Sequence, residues 1–219
     1  MIYQTSQILF FLEALIFATV IFMHLSKKGS SVVFLYVVQS LVIAGLLFSS
    51  AWKNSSLMLM LVAFLVFAIK VVIAPHFFRK LIKKHQLKFA SSTYLNGPLT
   101  LIILAVLTGF TYSHFFQPLT ILSRDNVNAL LLSVAMMLIS ILLVINRKGA
   151  LSQMIGILSL ENAIVSFAFL SGLEQMPGLQ LGIIFDISIW LVISTVFAEM
   201  IYDKFGTLNV TKMEHLKEE

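Results

Sequence analysis

Four ionisable residues, Glu13, Lys70, Glu161 and Asp186, stand inside long apolar runs of the chain. A charge held at the centre of a bilayer costs several kcal/mol unless it is neutralised, paired or hydrated. Groups retained there mark ion or proton pathways, or they are polar struts that hold a helix bundle together. An acid beside a lysine in such a place has a specific capability. Either group can hold or give up a proton, so the pair forms a proton-loadable site if water reaches it. Glu161 is followed directly by Asn162 within "GILSLENAIVSFAFL" (156–170), which puts an acid and an amide in the middle of one apolar run. Glu199 is a further acid, but it stands at the end of the last run, where it reaches water.

The runs that carry these groups fix the class of fold. The chain has 219 residues, 59% hydrophobic and only 11% charged, with a mean hydropathy of +0.97. Soluble domains carry about 25% charged residues. This chain has too little polar material to cover itself in water, so lipid is the expected solvent. About 20 apolar residues cross the hydrocarbon core as a helix. Seven runs qualify, at 5–25, 32–51, 55–76, 98–117, 126–145, 150–172 and 178–201. The expected fold is therefore all-α, a polytopic membrane helix bundle of seven transmembrane helices.

Charge placement supports that count. Of the 15 basic residues, twelve fall on one side of the predicted membrane, Lys53 and Arg124 fall on the other, and Lys70 lies within a run. Cytoplasmic loops collect Lys and Arg, so the N-terminus is expected outside and the C-terminus in the cytoplasm. The first run has no basic residue before it and Lys27–Lys28 after it. A cleavable signal peptide has the opposite polarity, so this run reads as a retained helix. The pI near 9.5 comes from these short loops, not from a nucleic-acid-binding face. Cysteine is absent, which removes disulfides, thiolate metal sites and thiol nucleophiles from consideration. Residues 77–97 form the longest internal loop, expected to be basic, partly helical and at the cytoplasmic surface. Pro75, Pro98 and Pro118 stand near span ends, where a missing N–H costs least.

Depth can be estimated from a rise of about 1.5 Å per residue. On that scale Glu161 lies ~16 Å into the sixth span, Asp186 ~12 Å into the seventh and Glu13 ~12 Å into the first. Lys70 lies ~13 Å above Arg79. The depths overlap enough for waters to join the groups. In the sixth span Ser152, Gly156, Ser159, Ala163 and Ser166 form a stripe of small residues, the kind of surface that lets helices approach closely in lipid. Glu161 is about 160–200° around the helix from it, so the stripe reads as plain packing with the acid on the other face. In the seventh span Gly178 and Gly182 precede Asp186, and these glycines could admit a helix or a water file near the acid. A b-type haem would need two histidines at one depth, and only His24 and His76 offer that. No hydrolytic triad or glycine-rich phosphate loop is present. No cofactor is expected in this chain.

At the level of motifs the chain resembles hydrogenase 4 component E, a membrane subunit of group 4 [NiFe]-hydrogenase and formate hydrogenlyase complexes. The resemblance rests on "YVVQSLV" (36–42), "KVVIAP" (70–75), "NGP" (96–98), "FQP" (116–118), "NRKGALSQMIGILSLEN" (146–162), "GIIFD" (182–186) and "FGTLNV" (205–210). The last three spans are similar to the K-type subunit of respiratory complex I. The resemblance implies that Glu161 is the mid-membrane glutamate of that subunit and Asp186 its second acid. Lys70 and Pro75 would form a broken-helix signature in the added N-terminal half. The family often carries another acid six residues before the aspartate, where this chain has Gln180. It also implies two regions, 1–120 with four spans and 121–219 with three and a short tail.

These readings converge on a non-catalytic integral membrane subunit of a complex I-like, hydrogenase-related assembly. Glu161, Asp186, Lys70 and Glu13 would form a proton or ion relay, with Asn162, Gly182, Pro75 and Gln180 in support. Partners would be antiporter-like membrane subunits and peripheral redox subunits in a bacterial or archaeal cytoplasmic membrane. Two alternatives stay open: a subunit of a multi-subunit cation/proton antiporter, and a non-conducting scaffold whose acids are salt-bridged and inert.

Overall fold

The structure, a computed structural model, describes residues 2–84, 93–176, 178–185, 188–189, 196 and 200. The described residues form helices and no strand; a single isolated bridge joins Thr93 to Arg147. In chain order they give α1 (Ile2–Leu25), α2 (Gly29–Lys53), α3 (Leu57–Val66), a π-helical segment (Phe67–Ile73) and α4 (Ala74–Lys84). After these come α5 (Gly97–Thr111), a 3-10 segment (His114–Asn126), α6 (Val127–Asn146) and α7 (Ala150–Leu170). Among the described residues five helical stretches are long and apolar enough to cross a membrane: Ser6–Leu25, Gly29–Lys53, Leu57–Lys83, His114–Asn146 and Ala150–Leu170. This is a multi-pass helical membrane protein.

Helix starts follow local chemistry. Ser56 Oγ accepts the N–H of Leu59, and Asn96 Oδ1 accepts that of Leu99 at 2.9 Å. A side chain thus satisfies one of the backbone donors that every helix start leaves open. Pro98 in the first turn of α5 loses nothing there, because its missing N–H would have had no partner. Helix α7 ends in a Schellman turn. Gly172 adopts φ +71°, Gly172 N–H donates to Phe169 O, and Leu173 N–H donates to Ala168 O.

Two predicted spans differ from what is observed. The fourth, expected over 98–117, is α-helical only to Thr111 and passes into the 3-10 segment. Thr108 and Thr111 bond back to the carbonyls of Leu104 and Thr108, and Pro118 lacks a donor, so the helical ladder is contested where it stops. The third, expected over 55–76, continues through the π segment to Lys84, taking the start of the predicted loop with it. Of the seventh, residues 178–185, 188–189, 196 and 200 are helical.

Helices α1, α2, α6 and α7 form the centre of the bundle. Helix α1 packs on α2 and α6, α7 packs on α2 and α6, α3 flanks α2, and α5 flanks α6. One core cluster joins Ile16, Ile43, Leu47, Val62, Met136, Ile139 and Ala163, drawing on both halves of the chain. A second, with Met23, Val33, Tyr36, Phe78, Leu81, Leu143 and Leu151, seals the end of the bundle where α1 stops and α2 begins. The stripe on α7 does pack closely. A Cβ placed on Gly156 would come within 2.9 Å of Val144 on α6.

Candidate functional site

Lys70 is fully buried at the centre of the π segment. The chemical cause of that segment lies five residues on. Pro75 has no N–H, so the carbonyl of Val71 loses its α-helical donor, and Ala74 N–H instead reaches back five residues to Ile69 O. An extra residue enters the turn, as in other π-bulges.

Lys70 Nζ lies 3.0 Å from Glu161 Oε1 and donates a 2.8 Å hydrogen bond to Asn162 Oδ1. Glu161 is 6% exposed and Asn162 is fully buried. A lysine can only donate, so the carbonyl of the Asn162 amide must face it and the NH₂ must face away. That NH₂ donates to Ser40 Oγ at 3.0 Å and to Gln39 Oε1 at 3.3 Å. Gln39 Nε2 donates to Ser159 Oγ at 3.1 Å, and Ser159 Oγ lies 3.1 Å from Ser140 Oγ. A buried polar network therefore crosses from the π segment through α7 and α2 to α6. Ser159 belongs to the small-residue stripe, so that face is a packing seam with a hydrogen-bonded node in it.

Glu13 stands apart from this network. It is buried on α1 and accepts a 2.5 Å hydrogen bond from Ser166 Oγ, while its Oε1 has no hydrogen-bond partner. Ser166 lies one turn beyond Asn162, about 6 Å along α7. The structure thus brings Lys70, Glu161 and Asn162 into contact and sets Glu13 one turn away. Asp186 lies outside the described residues. Among those described, nothing comes within 4 Å of a Cβ placed on Gly178 or Gly182. Neither glycine is a close-contact point for a described helix. Gln180 is buried and donates through Nε2 to the backbone carbonyl of Glu174 at 2.8 Å.

Two residues outside the predicted set matter. Glu174, in the turn after α7, is 8% exposed and accepts a 2.9 Å hydrogen bond from Ser50 Oγ; its Oε2 has no hydrogen-bond partner. Arg147, in the turn before α7, is 1% exposed and has its guanidinium on the last carbonyls of α1. It donates to Ser26 O at 3.0 Å, to His24 O at 3.2 Å and to Met23 O. Burial pulls its pKa down to about 10, which still leaves it charged at neutral pH. His24 is held through Nε2 at 2.9 Å from Ile139 O, and His76 lies on the exposed face of α4.

No family model matches this chain, and comparison with curated proteins and with solved structures gave no significant match. The arrangement itself has a defined chemical capability. A buried lysine and carboxylate 3.0 Å apart are jointly neutral. Adding one proton to Glu161 leaves Lys70 as a buried cation whose carboxylate partner has lost its charge, which is costly. The pair returns to neutrality when Lys70 gives up a proton. One proton enters, one leaves, and the amide of Asn162 holds the geometry.

Proposed function

We propose that this chain is a non-catalytic membrane subunit of a complex I-like, hydrogenase-related assembly of the hydrogenase 4 or formate hydrogenlyase type. It would have seven spans, with its N-terminus outside and its C-terminus in the cytoplasm of a bacterium or archaeon. Antiporter-like membrane subunits would flank it, and peripheral subunits would carry the redox chemistry. Within it, Lys70 and Glu161 are the proton-loading pair, Asn162 positions them, and Glu13 and Asp186 are the next acids along the route. The buried Lys70–Glu161 contact of 3.0 Å carries this reading, together with the motif resemblance. A unit charge crossing 100 mV exchanges about 2.3 kcal/mol, enough for the loading state of one buried pair to couple to the membrane field.

A second reading, the inert scaffold, is favoured by the same network, because Asn162 is fully engaged with Lys70, Ser40 and Gln39. One experiment separates the two. The Glu161→Gln variant is assembled with its partners, and proton uptake is measured in inverted membrane vesicles. On the relay reading the complex assembles and uptake falls at least about tenfold. Normal uptake by an assembled complex would sink it.

A further inference from the structure

The end of the bundle where α1 stops and α2 begins is hollowed beside α4. A cavity of about 810 Å³ is lined by Ser30, His76, Arg79, Lys80, Ile82 and Lys83. Helix α4 buries Phe78 and Leu81 in the cluster that includes Met23, Val33 and Tyr36. That packing turns His76, Arg79, Lys80 and Lys83 outward. Lys27 and Lys28 are exposed in the adjoining turn. A second groove, about 500 Å³, is lined by Phe22, Leu25, Ser30, Phe34 and Leu35 among others. The two cavities meet at Ser30. Phe34 is one turn deeper along α2 than Ser30, about 6 Å, and Phe22 is nearly one turn deeper along α1 than Leu25, about 4.5 Å.

We propose that this joined pocket binds an anionic phospholipid, its phosphate among Arg79, Lys80 and Lys83 and an acyl chain in the groove along Phe22 and Phe34. Retention of basic residues on one side of a membrane accounts for their presence at this end. It does not require them to line a cavity that opens onto an apolar groove one turn deeper. Both volumes fall within the roughly 300–1,000 Å³ typical of ligand sites. Basic pockets of this kind at a membrane interface select anionic headgroups. An acidic protein segment would match the charge but would leave the apolar groove uncovered. The site is independent of the relay and would stand if Lys70 and Glu161 proved inert.

The test uses the purified full-length chain in neutral detergent, titrated with phosphatidylglycerol, cardiolipin, phosphatidylethanolamine or phosphatidylcholine and read by native mass spectrometry. The two anionic lipids are expected to bind at least about tenfold more tightly than the zwitterionic ones. Each of Arg79→Gln, Lys80→Gln and Lys83→Gln is expected to erode that preference about fivefold, the effect of one basic residue near an anionic surface. Phe34→Ala is expected to weaken binding of all four lipids without changing the preference. Preference for cardiolipin over phosphatidylglycerol would identify a two-phosphate headgroup; equal binding would identify a single phosphate. Competition by inorganic phosphate with no effect of Phe34→Ala would overturn the lipid assignment in favour of free phosphate. Binding of a polyglutamate peptide with no preference among the lipids would overturn it in favour of an acidic protein. Because single substitutions leave most of the basic loop intact, failure to insert does not stand in for a result.

Discussion

Among the described residues two basic side chains, Lys70 and Arg147, are buried, and they are held differently. Lys70 meets a carboxylate, Glu161, and an amide. Arg147 meets the carbonyls of Met23, His24 and Ser26 at the C-terminus of α1. A helix C-terminus carries partial negative charge from its unsatisfied carbonyls, and that charge cannot be protonated away at physiological pH. Arg147 is therefore pinned. The partner of Lys70 can take up a proton, so that contact can be switched. The same bundle thus contains a permanent electrostatic clasp at its basic end and, on the relay reading, a reversible one near its middle.

Four variants sharpen this contrast. The largest effect is expected from Glu161→Leu, which removes the carboxylate and leaves the Lys70 charge in a dry interior. Breaking one partner of such a pair costs about 3–5 kcal/mol, read as a lowered midpoint in unfolding by SDS from mixed micelles. Arg147→Leu comes next, at about 2–3 kcal/mol, because several charge-assisted hydrogen bonds are lost and the end of α1 is uncapped. Arg147→Lys should recover less than half of that, since one ammonium cannot fork across three carbonyls as a guanidinium does. The smallest change is expected from Lys70→Met combined with Glu161→Leu. Replacing both ions by apolar side chains should bring stability to within about 1 kcal/mol of the original protein. On the relay reading the same double variant translocates no protons. Stability regained together with translocation would break the contrast.

Much of this was readable from the sequence, and the reasons for the rest are physical. The helical class, five of the seven expected spans and the placement of Lys70, Glu161 and Asn162 within them follow from hydropathy and from the cost of placing charge in lipid. The pairing of Lys70 with Glu161 was not readable, because overlapping depth does not say which helices are neighbours. Gln39, Ser40, Ser140 and Ser159 gave little warning, since small polar groups in apolar runs are cheap and common. Glu174 lies just past a predicted span, and only the Schellman turn at Gly172 returns it to Ser50. Arg147 entered the reading as one loop charge among twelve, yet it is buried on the end of α1. The fourth span was overestimated because apolar composition continues past Thr111 while the hydrogen-bond ladder does not.

The contact at Gly156 sets a mechanical limit on the polar network. Val144 leaves no clearance for a methyl group there, and Ser159 follows less than one turn later on the same face. The α6–α7 hairpin is in effect a press fit whose gap is gauged by a single hydrogen atom. Any side chain at 156 would act as a wedge, and the Ser140–Ser159 junction, 3.1 Å across, is the next point along the seam that it would prise apart.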